Sequence, residues 1–221
     1  MRLIRTGDVG HEAPGLLLDD GRRVSTAALL AGEGFRDYDE AFFAAGGIDW
    51  LRSVVVDRDG LADLDDRDGL EVIADEARLG PPVARPSKIV CVGLNFRDHA
   101  EETGQAPPEE PILFAKATTS LCGPDDAIVL PRGSTATDWE VELAVVIGAT
   151  ARYVAIDDAL GHVAGYALHN DVSERVHQME RGGQWLKGKC HDTFAPLGPF
   201  LATPDEVDLA DAALWLSVNG E

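Results

Sequence analysis

The chain has few of the features that mark secreted, membrane-bound or metal-thiolate proteins. Its 3 cysteines are widely spaced and form neither a CxxC metal motif nor a disulfide framework. No apolar run approaches the roughly 18 residues that cross a bilayer, and the polar N-terminus lacks the apolar core of a signal peptide. These absences predict a cytoplasmic protein with no membrane partner.

Positive charge is also scarce. There are 19 Lys and Arg against 39 Asp and Glu, for a formal net charge of -20. Such a surface repels polyanions, so the sequence excludes nucleic acid as a partner. Lysine is the rarer cation, and two of its few positions, Lys187 and Lys189, lie in one short stretch. This stretch is where local positive charge would admit a small anionic substrate.

The distribution of motifs along the chain suggests two domains. Residues 1–80 hold Gly/Asp turns and short apolar runs but no catalytic pattern, and the proline-rich segment 80–86 is typical of a linker. We therefore predict a small N-terminal domain over 1–80 and a catalytic domain over 81–221.

Hydrophobic patterning predicts a chain with more strands than helices. Apolar runs indicate strands, and periodic or capped segments indicate helices. An Asn-Gly pair at 219–220 follows an alternating segment and predicts a hairpin turn whose returning strand is not in the chain. The predicted strands are 89–92, 112–115, 128–130, 141–147, 163–168 and 214–218, and the predicted helices are 27–30, 41–45, 96–103 and 173–180.

The most informative segment carries two acidic residues on one side of a strand. Glu140 and Glu142 are two residues apart, which places their backbones roughly 6.5–7 Å apart on one face. An isolated pair of glutamates at this spacing most often lies on a solvent-facing strand edge. Here an apolar run follows as far as Ile147, which favours a buried strand whose carboxylates need a partner. With Asp171 at the end of another predicted strand, this all-oxygen set favours Mg²⁺ or Mn²⁺ over Zn²⁺.

From residue 88 onwards the chain resembles the fumarylacetoacetate hydrolase family. Five motifs in the same order carry the resemblance, which makes it more specific than any one of them. They are V-G-L-N-F-R-D-H-A-E-E (92–102), P-I-L-F-A-K (111–116), D-W-E-V-E-L-A-V-V-I-G (138–148), N-D-V-S-E-R (170–175) and K-G-K-C-H-D-T-F-A-P-L-G-P (187–199).

The resemblance implies a fold, an assembly and a metal. The fold would be α+β and predominantly β, a mixed β-roll with a small N-terminal domain, usually assembled as a homodimer or homotetramer. Glu140, Glu142 and Asp171 would be the Mg²⁺ ligands, with Mn²⁺ as the other candidate ion. Relatives continue beyond this chain with a T-G-T-P motif, so we expect the C-terminal strands to be missing.

The resemblance also implies catalytic roles for particular residues. His99 and Glu102 would form the pair that activates water, and Lys189 would face the oxygens of the substrate. Gln184 and Lys187 are weaker candidates for substrate binding. No GxSxG or Cys–His signature offers a protein nucleophile, which agrees with attack by water.

The implied reaction is cleavage of a carbon–carbon bond in a 2,4-diketo acid, with release of pyruvate. The segment G-G-Q-W-L-K-G-K (182–189) most resembles the branch that acts on 2,4-diketo-3-deoxy sugar acids. Two alternatives remain open at this point. The chain could be a decarboxylase, lyase or keto–enol isomerase on a related 2-oxo acid, or a truncated homologue that binds metal without turnover.

Overall fold

The architecture is predominantly β, as predicted. The computed structural model describes residues 1–56, 70–96, 104, 108–210 and 212–221. Within these ranges, most strands belong to one nine-stranded sheet, and two two-stranded sheets accompany it. All three sheets are open in the part of the chain that is described, and the helices are short.

The elements have the following bounds. The strands are β1 (Arg2–Thr6), β2 (Ala13–Leu17), β3 (Arg23–Ser25), β4 (Val72–Ile73), β5 (Leu79–Gly80), β6 (Ile89–Gly93), β7 (Ile112–Lys116), β8 (Leu121–Cys122), β9 (Thr137–Asp138), β10 (Val141–Ile147), β11 (Val163–Asn170), β12 (Ser173–Glu174) and β13 (Ala195–Ala202). The α-helices are α1 (Ala27–Gly32), α2 (Glu40–Ala44), α3 (Gly47–Val56) and α4 (Leu186–Lys189), and a π-helical turn covers Val176–Glu180.

The large sheet pairs a strand near the start of the chain with a strand more than 190 positions later in the sequence. Its strand order is β10-β11-β13-β1-β2-β3-β4, with β5 paired to β1 and β8 paired to β13. Strands β1 and β13 are antiparallel, with Leu3 opposite Leu201. The segment predicted as a linker is also packed, since residues 79–84 are buried and the Pro81 carbonyl accepts a hydrogen bond from Arg5. The division into domains at residue 80 stays a prediction.

The hydrophobic core lies where helices α1 to α3 meet the large sheet. Leu3 and Leu16 from the sheet and Leu30 from α1 are almost fully buried in it, together with Phe42 from α2. Helix α2 begins where the Asp39 side chain accepts a hydrogen bond from the Phe42 backbone N–H, which satisfies one of the free donors of its first turn. The two short helices predicted in this region are confirmed.

Strand β10 is confirmed, but the face that it buries is not the one that the pattern suggests. The sequence predicts an apolar face made of Val141, Leu143, Val145 and Ile147. In the structure, Val145 and Ile147 are 48% and 56% exposed, whereas Ala144 and Val146 pack against the core. Because side chains alternate along a strand, Glu142 shares the core-facing side with these two residues.

Three other predicted elements are wrong in whole or in part. Residues 128–130 form no strand, and the Val129 N–H donates to the Thr193 hydroxyl. The predicted helix 173–180 begins instead as strand β12, because that segment pairs with β9, and turns helical only at Val176. Residues 214–218 have no described partner strand, although Val218 and Glu221 exchange backbone hydrogen bonds around the predicted Asn-Gly turn.

The predicted helix 96–103 lies outside the described residues apart from Phe96. Among the helices that are described, none is both long enough and apolar enough to span a bilayer.

Candidate active site

Pairing of β10 with β11 brings two of the predicted carboxylates together. The register sets Val141 opposite Asn170, so Glu140 and Asp171 flank the end of the pair. The Asp171 N–H donates to the Glu140 carbonyl at 2.9 Å, and the Glu140 N–H donates to Asn170 Oδ1 at 3.2 Å. Two acids that are 31 positions apart in sequence therefore meet at one edge of the sheet.

Lys189 joins these two carboxylates. Its Nζ lies 2.8 Å from Glu140 Oε2 and 2.8 Å from Asp171 Oδ2, and the side chain is only 2% exposed. Helix α4 can deliver it because Gly188 leaves no side chain between the helix and the Gln178 side chain, whose Cβ would lie 2.6 Å from an added Cβ. The structure thus places the predicted catalytic lysine among two of the predicted metal ligands.

A second buried lysine, Lys116, belongs to the same cluster. Its Nζ lies 2.5 Å from Asp171 Oδ1 and donates to the Val172 carbonyl at 3.1 Å. The sequence reasoning missed it as a site residue, since it is only the last letter of the 111–116 motif. The scarcity of lysine was the available signal, because a chain that otherwise uses arginine placed two of its lysines in this cluster.

The two ammonium groups determine the ionisation of Asp171. Burial opposes a charge here, but the attraction of Lys116 and Lys189 outweighs it and lowers the pKa of Asp171. Burial also lowers the pKa of Lys116 against the pull of Asp171. Because its pKa is below the ordinary value, Asp171 is an ionised carboxylate at neutral pH.

Arg175 holds the remaining oxygen of Glu140. Its guanidinium lies 2.7 Å from Glu140 Oε1 and 2.7 Å from Asp138 Oδ2, and it donates to Gln178 Oε1 at 3.1 Å. The guanidinium is planar and permanently charged, so these contacts fix the orientation of the Glu140 carboxylate. Arg175 was also missed as a site residue, although it closes the 170–175 motif.

Glu142 is the exception in the cluster because no described cation neutralises it. It forms no hydrogen bond or ion pair with any residue that the structure describes. Burial, followed by the nearby charges of Glu140 and Asp171, raises the pKa of Glu142 to about 7. A carboxyl group of this kind is short of positive charge, and such perturbed groups cluster at functional sites.

The donor set fits a hard divalent cation. Across the described ranges, no three His, Cys, Asp or Glu side chains are gathered in ligand geometry, and Lys189 Nζ lies between Glu140 and Asp171. Both carboxylates nevertheless approach one compact positive charge at 2.8 Å, and Glu142 adds a third set of oxygens beside them. Oxygen-only donors of this number suit Mg²⁺ or Mn²⁺.

Of the other predicted site residues, those that the structure describes lie outside this cluster. His99 and Glu102 lie outside the described residues. Gln184 and Lys187 are both exposed, and Lys187 Nζ donates to the Arg181 carbonyl at 2.6 Å. Their proposed part in substrate binding therefore stays a prediction.

Comparison with known proteins identifies the family. The family model described as fumarylacetoacetate (FAA) hydrolase C-terminal matches residues 88–221. The chain belongs to the fumarylacetoacetate hydrolase family. A 2,4-didehydro-3-deoxy-L-rhamnonate hydrolase from Sphingomonas sp. (strain SKA58) is 46% identical over 221 residues, which are 100% of this chain and 70% of that protein.

Solved structures agree with the family assignment. The fumarylacetoacetate hydrolase from Exiguobacterium antarcticum has a TM-score of 0.69 and 31% identity, covering 95% of this chain and 69% of its own. The maleylpyruvate hydrolase from Sphingobium sp. SYK-6, solved in complex with manganese (II) ion and pyruvate, has a TM-score of 0.68 and 26% identity, covering 94% and 69%. This chain is therefore a hydrolase-family enzyme with the fold of that family.

Proposed function

We propose that this chain is a Mg²⁺- or Mn²⁺-dependent hydrolase that cleaves a carbon–carbon bond in a 2,4-diketo-3-deoxy sugar acid and releases pyruvate. One observation carries the proposal. Glu140 and Asp171 both contact the buried ammonium of Lys189, and the nearby Glu142 contacts no cation that the structure describes. The similar proteins include a sugar-acid hydrolase and a pyruvate-bound maleylpyruvate hydrolase, which supports the substrate class.

In the proposed reaction, a water oxygen bonds to the acyl carbonyl carbon and the adjacent carbon–carbon bond breaks. Its electron pair passes to the pyruvate part as an enolate, which then takes up a proton. A bound divalent cation would polarise the 2-oxo acid and stabilise the developing negative charge. His99, paired with Glu102 as the family resemblance implies, remains the proposed acceptor of the water proton.

The described residues contribute charge and positioning. Lys189 lies beside both ligand carboxylates, so its ammonium can donate to a substrate oxygen as negative charge develops there. The Phe114 ring lies 5.1 Å from Lys189 Nζ and packs edge-on against Trp185, which shields this side of the ammonium from water. Exclusion of water strengthens the interaction of Lys189 with an anionic substrate.

The test is pyruvate release from a panel of acylpyruvates and 2,4-diketo-3-deoxy sugar acids. We expect release that EDTA abolishes and that Mg²⁺ or Mn²⁺ restores. Glu142→Gln should lose it, whereas Glu76→Gln, which alters an exposed carboxylate, should keep it. Absence of release from every substrate with either metal contradicts the proposal, and enol consumption without pyruvate would favour the isomerase alternative.

A further inference from the structure

The two buried lysines of the site differ in what anchors them. Lys189 Nζ contacts two proposed metal ligands, Glu140 and Asp171. Lys116 Nζ contacts one ligand oxygen, Asp171 Oδ1, and one backbone carbonyl, that of Val172. Lys116 is therefore fixed to the main chain next to the ligand, whereas the described hydrogen bonds of Lys189 Nζ all go to carboxylates that a cation would also attract.

The two lysines divide the oxygens of Asp171 between them. Oδ1 faces Lys116 at 2.5 Å, and Oδ2 faces Lys189 at 2.8 Å. Both lysine side chains and Asp171 are 2% exposed, so no bulk water is available to replace a lost partner. A buried carboxylate oxygen without a partner is costly, which makes the Lys116 contact important for the orientation of Asp171.

Strand β7, which carries Lys116, is held on both sides of this residue. The Ala117 N–H donates to Cys190 Sγ at 3.0 Å, and the Phe114 ring packs against Trp185 with centroids 5.3 Å apart. Strand β6 pairs with β7 along its whole length, with Lys116 opposite Ile89. The ammonium of Lys116 is thus positioned by a braced strand rather than by a free side chain.

We propose that Lys116 is a positioning residue that occupies Asp171 Oδ1 and so presents Oδ2 to the metal. The inference rests on the proposed function, because it assumes that Asp171 is a metal ligand. Partners that orient a ligand carboxylate from outside the coordination sphere typically contribute a factor of about 10 to 100 in metal affinity. Lys116 acts through Asp171 and does not itself touch the substrate.

The test is calorimetric titration of Mn²⁺ into metal-stripped protein. Lys116→Met keeps the length of the side chain but removes its charge and its donors, and it should weaken Mn²⁺ binding by about 10- to 100-fold. The control is Lys88→Met, an exposed lysine at the start of β6, which should bind as wild type does. Thermal melts without metal show whether each variant folds.

Chemical rescue distinguishes the proposed positioning role of Lys116 from a purely structural one. In Lys116→Ala, propylammonium should restore Mn²⁺ affinity because it can donate to Asp171 Oδ1, whereas tetramethylammonium, which has no N–H, should not. If Lys116→Met does not fold, Lys116→Gln, which retains a donor, is titrated in its place and should bind Mn²⁺ more weakly than wild type. Wild-type affinity in a folded Lys116 variant overturns the inference, and absence of Mn²⁺ binding by wild type overturns the proposed metal site itself.

Discussion

Two buried charge networks in the described part of the chain differ in balance, since only in the first does every carboxylate contact a cation. In the N-terminal region, Arg5 donates to both oxygens of Asp37, at 2.7 and 2.8 Å, and also to the Pro81 carbonyl. In the cluster around Asp171, cations contact two carboxylates, but Glu142 contacts no cation that the structure describes. A buried carboxyl group of this kind is short of positive charge. This difference is why we propose that a divalent cation binds beside Glu142.

The largest expected effect is on stability, in the balanced network. Asp37→Asn removes the nearest counter-charge of the buried Arg5 guanidinium and leaves Glu12, at 3.5 Å, as the remaining one, so it should lower the free energy of unfolding by about 3 kcal/mol. Urea denaturation at neutral pH measures it. Mn²⁺ affinity of the folded variant should be unchanged, because Asp37 is not part of the site cluster. A loss below 1 kcal/mol would show that the two networks do not differ in the way proposed.

Lys189→Met should affect catalysis most. Removing a donor that stabilises developing negative charge costs roughly 10²- to 10³-fold in kcat. Steady-state pyruvate release measures the change, with Lys88→Met as the matched control. A variant that retains more than a tenth of the wild-type kcat would remove Lys189 from the proposed chemistry.

Glu142→Gln should act in opposite directions on stability and on metal binding. The folded-state pKa of about 7 lies above the ordinary value of 4.5. The folded protein therefore binds the Glu142 proton more tightly than the unfolded chain does. The stabilisation from this proton is fully present below pH 4.5 and is lost as the pH rises through 7. In EDTA at pH 8 the variant should exceed wild type by on the order of 1 kcal/mol, a figure reduced for partial exposure.

Urea titrations of this pair at pH 4.5 and pH 8 check the sign. The advantage of Glu142→Gln should be largely absent at the lower pH, where Glu142 is protonated in the folded state and about half protonated in the unfolded state. Metal affinity should fall in the same variant. Equal stability at pH 8 would mean that Glu142 has a partner and that the cluster is balanced after all.

The smallest effect is expected at an exposed ion pair. Arg52 contacts both oxygens of Asp205, at 3.1 and 2.6 Å, but the two side chains are 37% and 50% exposed. Arg52→Ala should therefore lower the free energy of unfolding by only about 0.2–1 kcal/mol, and less at high salt. Urea denaturation in low and high salt measures it. A loss comparable to that of Asp37→Asn would show that burial is not what separates these pairs.

The sequence predicts most of this site because strand patterning and ordered motifs are local signals. Strand β10 could be recognised from its alternation, Glu140 and Glu142 from their spacing on one strand face, and Asp171 from its position at a strand end. Which face of β10 is buried could not be predicted, because both faces carry apolar residues and the choice depends on packing against the core. Lys116 and Arg175 were missed as site residues because their roles depend on contacts across 55 and 35 positions of sequence.

The errors in the fold have the same origin. A segment such as 128–130 has the composition of a strand, but whether it becomes one depends on a partner that composition does not specify. The start of the predicted helix at Ser173 became strand β12 because β9 pairs with it. Tertiary pairing decided both cases.

The most direct test of the account is the location of Mn²⁺ by anomalous diffraction from crystals soaked in the ion. We predict one strong peak within bonding distance of oxygens from Glu140, Glu142 and Asp171, with Lys189 displaced from its position between two of them and Lys116 still on Asp171 Oδ1. A structure at saturating Mn²⁺ in which Lys189 still bridges Glu140 and Asp171, with no peak beside Glu142, would contradict the account.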